Sequence, residues 1–146
     1  MEYIDLTHTF ESHMPVYPGD PEPETTQIAF IEKDGYNDFQ VKTGMHVGTH
    51  IDAPLHMINE GVRIPELPLE KFFGRGRLID AKEKTIDATL LSGEFSKGDI
   101  VILNTGYHKQ YKQKEYYDTF PEVTEDFAKR AVELGVSIVA MDTPSP

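Results

Sequence analysis

Apolar residues in this chain fall into short runs rich in valine, isoleucine and leucine, and polar turn residues separate the runs. Such runs predict strands, and they occur at residues 3–6, 25–31, 39–43, 76–81, 99–104 and 136–141. The second and third runs flank a polar turn at 33–38, which indicates a hairpin. The pattern therefore predicts a β-rich core.

One segment has the features of a helix, from Thr124 to Leu134. Thr124 can cap its start through a side-chain oxygen, acidic residues follow the cap, and Gly135 supplies a left-handed stop. The helix leads directly into the apolar run 136–141, and a shorter helix is predicted over 67–73. A helix followed by a buried strand predicts a mixed α/β fold, in which helices pack on a sheet.

Four of the ten prolines lie within residues 15–24, a segment that we call the proline-rich arm. Proline lacks the amide donor that helices and central strands need, and it restricts the residue before it. The arm is therefore expected to be an ordered, turn-rich loop.

Length, charge and composition restrict the kinds of protein to which this chain can belong. The 146 residues predict one domain, over residues 1–146. The formal net charge of −11 repels phosphate backbones and anionic lipid, so neither nucleic acid nor a membrane is an expected partner. The absence of cysteine excludes a disulfide scaffold and a thiolate nucleophile. The N-terminus lacks the pattern of a signal peptide, which predicts a cytoplasmic location.

The strongest chemical signal lies at residues 46–56, which read HVGTHIDAPLH. Three of the six histidines fall in these eleven positions, together with an aspartate. Imidazole and carboxylate groups are ligands of divalent first-row metals, and this chain has no thiolate to offer. The segment therefore predicts a metal site at His46, His50 and Asp52.

The spacing of the histidines predicts a particular backbone shape. On a strand, His46 and His50 would lie about 13 Å apart, too far to share one ion. On a helical turn they would be neighbours about 6 Å apart. Gly48 allows a bend between them, and Pro54 prevents a long helix. We therefore expect a bent or single-turn segment that brings His46, His50 and Asp52 to one ion.

Alternative interpretations exist for residues outside this group, and each histidine taken alone is more simply structural or exposed. His108 follows a predicted strand and is expected on a surface loop. Tyr111, Tyr116 and Tyr117 lie among lysines and are expected at a solvated surface. Asp142 ends a strand, and the sequence leaves open whether it is a distant ligand or an orienting group.

Residues 46–56 fit the pattern H-x-G-T-H-x-D-x-P-x-H, and on this motif the chain resembles the putative cyclase family of metal-dependent hydrolases. That family includes bacterial kynurenine formamidase (arylformamidase) and isatin hydrolase. Supporting matches are YIDLTH at 3–8, PVYPGD at 15–20, NTGY at 104–107 and DTPS at 142–145. The resemblance spans nearly all of the chain and implies the family's α/β fold, of a swivelling β/β/α-like type.

The resemblance also implies roles for individual residues. His46, His50 and Asp52 would bind a divalent metal, zinc first and manganese as the alternative, and Asp52 would bridge to a second ion in a complete chain. His56 would be the proton donor and acceptor. Tyr17 would contact substrate, at a position where kynurenine formamidases tend to have tryptophan, a residue that this chain lacks. Family members take further metal ligands from a later stretch, and this chain is expected to lack that C-terminal part.

The leading hypothesis is metal-dependent hydrolysis of a small amide, formamide or lactam, with metal-bound water as the nucleophile and His56 as the general acid/base. The alternative is a metal-binding but catalytically silent protein or fragment that lacks the downstream ligands. A purely structural domain that carries histidines is a third possibility. The expected partner is a small-molecule substrate, and the arm and the exposed sheet edges favour a homo-oligomer.

Overall fold

The computed structural model describes residues 2–146, which divide into two compact units. Unit 1 ends at Gly61 and unit 2 begins at Val62. The boundaries of the single domain expected from the sequence, 1–146, stay a prediction.

Strands and short helices alternate along the chain, so the mixed α/β class is confirmed. The strands are β1 Glu24–Ala29, β2 Asp38–Lys42, β3 Gly76–Asp80, β4 Thr85–Ile86, β5 Ile100–Asn104, β6 Glu122–Val123 and β7 Ile138–Met141. The α-helices are α1 Ile31–Asp34 and α2 Glu125–Leu134. Short 3-10 helices cover Pro54–His56, Ile64–Glu66, Leu69–Phe72, Ala88–Leu90, Tyr107–Gln110 and Lys114–Tyr117. Within the described residues, each helix is too short or too polar to cross a lipid bilayer.

Unit 1 is built on the predicted hairpin, in which β1 and β2 pair antiparallel. The connection contains α1, and Gly35 ends this turn with a φ of 80° in the left-handed region that glycine adopts without strain. The strand predicted over 25–31 ends at Ala29, because α1 begins at Ile31. The strand expected at 3–6 is wrong, since residues 2–10 have no regular structure and their apolar side chains are exposed. A run this short makes a strand only where a neighbour accepts its hydrogen bonds.

Unit 2 contains a parallel sheet in the order β3-β5-β7. The strands expected at 76–81, 99–104 and 136–141 are confirmed, each slightly shorter than predicted. α2 begins and ends as the sequence indicates, because the Thr124 side-chain oxygen accepts a hydrogen bond from the Phe127 amide and Gly135 has a φ of 71°. The helix expected over 67–73 is a 3-10 helix at Leu69–Phe72.

The core of unit 2 lies between α2 and the sheet. Its buried residues are Ala81, Ile86, Leu91, Val101, Leu103, Phe127 and Ala131. The alternating burial along β5 places Val101 and Leu103 on the same face. Aliphatic side chains from the strands and Phe127 from the helix therefore pack against each other, as expected for a helix on a sheet.

A second buried group in unit 2 corrects the expectation for the tyrosines. Tyr111 and Tyr116 are 8% and 7% exposed, and Tyr107 stacks on Tyr116 with ring centroids 5.3 Å apart. Burial raises the pKa of the Tyr116 hydroxyl. The prediction of a solvated surface is therefore wrong for Tyr111 and Tyr116. The neighbouring lysines suggested an exposed segment, but the 3-10 helices at Tyr107–Gln110 and Lys114–Tyr117 bring the tyrosine rings together in a buried cluster.

Candidate metal centre

The histidine-rich segment follows β2 in unit 1. After Lys42 the chain turns at Met45 and His46 and bends through residues 47–49. Gly48 sits in the bend with a φ of 66°, a conformation that favours glycine. The predicted bend between His46 and His50 is therefore present.

The bend brings the three predicted ligands together. His46 Nδ1 lies 2.7 Å from Asp52 Oδ1, and His50 Nε2 lies 3.5 Å from the same oxygen. The rings of His46 and His50 meet edge to face with centroids 5.3 Å apart. Each of the three residues offers one ligand atom, and these atoms all lie within 4.8 Å of one another.

This arrangement fits a divalent metal ion. Bond lengths of 2.0–2.2 Å to nitrogen and oxygen place neighbouring ligands of a tetrahedral zinc about 3.3 Å apart, close to the spacings around Asp52 Oδ1. Two imidazoles and one carboxylate leave one tetrahedral position for water or substrate. The side chains are 31–42% exposed, so that position is open to solvent. Within residues 2–146, His46, His50 and Asp52 form the one group of this kind.

A backbone contact orients His50. Its Nδ1 lies 2.9 Å from the carbonyl oxygen of Gly48. A carbonyl only accepts hydrogen bonds, so Nδ1 carries the proton and donates, and Nε2 keeps its lone pair. Because Nε2 is the nitrogen that faces Asp52, the contact leaves the correct atom free to bind a metal.

His56 lies at the end of the 3-10 turn Pro54–His56, and its amide donates to the carbonyl of Ala53. Its ring lies against that of His46, with centroids 3.9 Å apart and planes tilted by 38°. His56 is exposed and lies outside the group of ligand atoms. The structure thus places it beside the candidate centre, and its role as proton donor and acceptor stays a prediction.

Tyr17 occupies a turn in the proline-rich arm, where the Asp20 amide donates to its carbonyl. The side chain is 47% exposed. A half-exposed aromatic ring can contact a small molecule, and the substrate-binding role of Tyr17 stays a prediction.

The described structure shows the partners of Asp142, which lies after β7 in unit 2. Its carboxylate accepts hydrogen bonds from the amide and hydroxyl of Thr105, from the Gly106 amide and from His108 Nδ1 at 2.7 Å. Burial alone would raise the pKa of Asp142, but these hydrogen bonds outweigh it and lower the pKa to about 2. Asp142 is therefore an orienting group for the loop after β5.

Sequence reasoning missed two contributors to the ligand segment. The Gly48 carbonyl orients His50, and the side chain of Met14 packs on Gly48. A glycine between two candidate ligands is a usable signal, because a bend there turns the backbone carbonyl toward its neighbours. Met14 gives no local signal, since it is distant from Gly48 in the sequence.

Comparison with known proteins gives a consistent result. A family model described as "Putative cyclase" matches residues 4–146. Kynurenine formamidase from Geobacillus thermodenitrificans (strain NG80-2) is 31% identical over 147 residues, which are 98% of this chain and 69% of that protein.

Solved structures resemble this fold. A protein described as a potential metal-dependent hydrolase with cyclase activity is 27% identical, with a TM-score of 0.75, and the match covers 97% of this chain and 67% of that one. Isatin hydrolase A from Labrenzia aggregata, bound to benzyl benzoate, is 20% identical with a TM-score of 0.80, and the match covers 97% and 67% of the two chains. The second likeness concerns the fold alone.

Proposed function

This chain belongs to the Putative cyclase family, and from that premise we propose that it is a metal-dependent hydrolase of small amides, formamides or lactams. The observation that carries the proposal is the convergence of His46, His50 and Asp52, with His56 against His46. A kynurenine formamidase relative, 31% identical over 98% of this chain, supports the C–N bond as the target.

We propose that His46, His50 and Asp52 hold the ion, with zinc first and manganese as the alternative. When bound, such an ion polarises a substrate carbonyl and lowers the pKa of a coordinated water toward neutrality. Asp52 contributes the negative charge, and its Oδ1 lies 2.7 Å from His46 Nδ1. The Gly48 carbonyl holds His50 with Nε2 toward Asp52.

His56 is proposed as the proton carrier. Imidazole changes protonation near neutral pH and can therefore both accept and donate a proton during one turnover. A ring nitrogen of His56 takes a proton from the attacking water while a C–O bond forms at the carbonyl carbon. The same nitrogen then protonates the leaving nitrogen as the C–N bond breaks. The products are a carboxylic acid and an amine, which balances the addition of one water molecule.

The substrate is proposed to be a small arylformamide or lactam, with the ring of Tyr17 as a contact. Tyrosine at position 17 and the lack of tryptophan in the chain weaken the case for N-formylkynurenine as the particular substrate. A homo-oligomeric state and a cytoplasmic location stay predictions. A sedimentation mass equal to one chain would contradict the first.

Turnover and metal content together test this function. We expect the wild-type chain to bind zinc or manganese and to hydrolyse isatin or N-formylkynurenine. His56→Asn should lower kcat by about 10²- to 10⁴-fold with metal content unchanged, because it removes the proton carrier and no ligand atom. His46→Asn should lose the metal.

His13→Asn is the matched control. His13 is an exposed histidine paired with Glu22, and asparagine tolerates its φ of 62°. This variant should keep both the metal and turnover. Stoichiometric metal without turnover on any amide or lactam would instead favour the catalytically silent alternative, and loss of metal in His56→Asn would make His56 a ligand.

A further inference from the structure

Met14 is buried in a part of the chain that buries little else. Its side chain is 3% exposed, and the other buried residues among 2–61 are Pro23, Ala29 and Val47. Val47 belongs to the ligand segment itself, between His46 and Gly48. The small core of unit 1 therefore includes the backbone that carries the candidate ligands.

Met14 packs directly on the bend of that segment. A Cβ added to Gly48 would lie 2.9 Å from the Met14 Cε methyl and 3.9 Å from Phe10 Cδ2. The space that a side chain would need at position 48 is thus filled by Met14. Together with the φ of 66°, this contact restricts both the residue type and the backbone position at Gly48.

The bend connects Met14 to a ligand through one hydrogen bond. The Gly48 carbonyl accepts from His50 Nδ1, which leaves Nε2 toward Asp52. A shift of the Gly48 backbone would move this carbonyl and release the imidazole. Contacts that orient metal-bound histidines typically change metal affinity by 10- to 100-fold when they are lost.

Hydrogen bonds hold Met14 and the residues that precede it. Its amide donates to the Glu11 carbonyl, and the amide of His13 donates to the Pro23 carbonyl. The hydroxyl of Ser12 accepts from the amide of Thr25 at 2.8 Å. Because this stretch is tied to the start of β1, Met14 can act as a fixed support for the bend.

We infer that Met14 is a positioning residue for the metal centre: its methyl group packs on Gly48 and holds the carbonyl that orients His50. The inference rests on the proposed metal site. It predicts that truncating Met14 weakens metal binding, although Met14 contributes no ligand.

Zinc affinity of the full chain, measured by competition with a chromophoric chelator, tests the inference. Met14→Ala should bind zinc about tenfold more weakly than wild type. Met57→Ala is the matched control, because Met57 is 83% exposed and follows His56 directly, and its affinity should be unchanged. Met14→Leu restores apolar bulk and should recover most of the loss.

The tautomer of His50, measured by ¹⁵N NMR in the metal-free chain, provides a readout that a general loss of stability does not move. Wild type should carry the proton on Nδ1, and folded Met14→Ala should shift toward Nε2. If Met14→Ala does not fold, the same comparison is made with Met14→Val, which shortens the side chain less: a shift of the proton toward Nε2 supports the inference, and the wild-type tautomer overturns it.

Failure of this inference can be distinguished from failure of the proposed function. A wild-type chain that binds zinc, with Met14→Ala binding equally well, overturns this inference and leaves the proposed function intact. A wild-type chain that binds neither zinc nor manganese overturns the proposed function, and the inference fails with it.

Discussion

Unit 1 and unit 2 bury their apolar residues to very different degrees. Unit 2 has a cluster of seven buried residues between α2 and a parallel sheet. Unit 1 buries four residues among 2–61, and its hairpin exposes Ile28 and Phe39 by 54% and 57%. The candidate metal ligands lie in unit 1, on a bend between β2 and a 3-10 turn.

This difference separates the well-packed part of the chain from the candidate metal ligands. A packed core resists local opening, whereas segments with few buried contacts open at low cost. Ligands on an irregular segment need local supports, and the structure provides them as the Gly48 carbonyl and the Met14 side chain. Bound metal would add a further support in unit 1.

Truncation of one phenylalanine in each unit should give the largest difference in stability between the two units. Phe127→Ala removes a side chain that is 1% exposed in the core of unit 2, and such changes cost about 3–5 kcal/mol. Phe39→Ala is the matched change in the unit 1 hairpin, where exposure limits the cost to about 0.5 kcal/mol. Urea unfolding followed by NMR signals of each unit measures both. Equal costs would refute the contrast in packing.

Addition of zinc should have the next largest effect. A ligand that binds only the folded state at 100 times its Kd stabilises that state by about 2.7 kcal/mol. We expect amide hydrogen exchange to slow at residues 44–52 when zinc is added, with the amides of β5 as the internal reference. A chelator should reverse the change. Unchanged exchange at residues 44–52 in saturating zinc would contradict a metal centre there.

Acid should weaken unit 2 by a smaller amount through Asp142. The folded-state pKa of about 2 lies below the ordinary value of 3.8, so the ionised carboxylate stabilises the fold at neutral pH. That contribution, about 2 kcal/mol, is lost as the pH falls from about 4 towards 2. Asp142→Asn should therefore reduce the acid dependence of the urea midpoint for unit 2.

Asp80→Asn is the control for Asp142→Asn, because the Asp80 side chain lies at the same end of the sheet and is 72% exposed. It removes one exposed carboxylate and leaves the hydrogen bonds to Asp142 in place, so the difference between the two variants reports those hydrogen bonds. An Asp142→Asn variant with the full wild-type acid dependence would show that the hydrogen bonds from Thr105 and His108 contribute no net stability.

Local patterns predicted much of the regular structure. The hairpin, the strands of the parallel sheet and α2 were all predictable, because periodicity, the Thr124 cap and the Gly135 stop act over a few residues. The strand at 3–6 and the solvated surface for Tyr111 and Tyr116 were wrong. A strand needs a neighbouring strand, and a buried side chain needs residues that pack over it. In both cases these residues can be distant in the sequence, so local composition does not predict them.

Residue types and their spacing were enough to predict which residues could form the metal site and that the backbone between His46 and His50 must bend. Three features are visible only in the folded chain: the nitrogen of His50 that faces Asp52, the contact of Met14 with Gly48, and the hydrogen bonds that Asp142 accepts from a loop. The difference arises from the sequence separation of the interacting residues. Residue type and spacing set chemistry and local geometry, whereas packing and hydrogen bonds between distant segments arise only when the whole chain has folded.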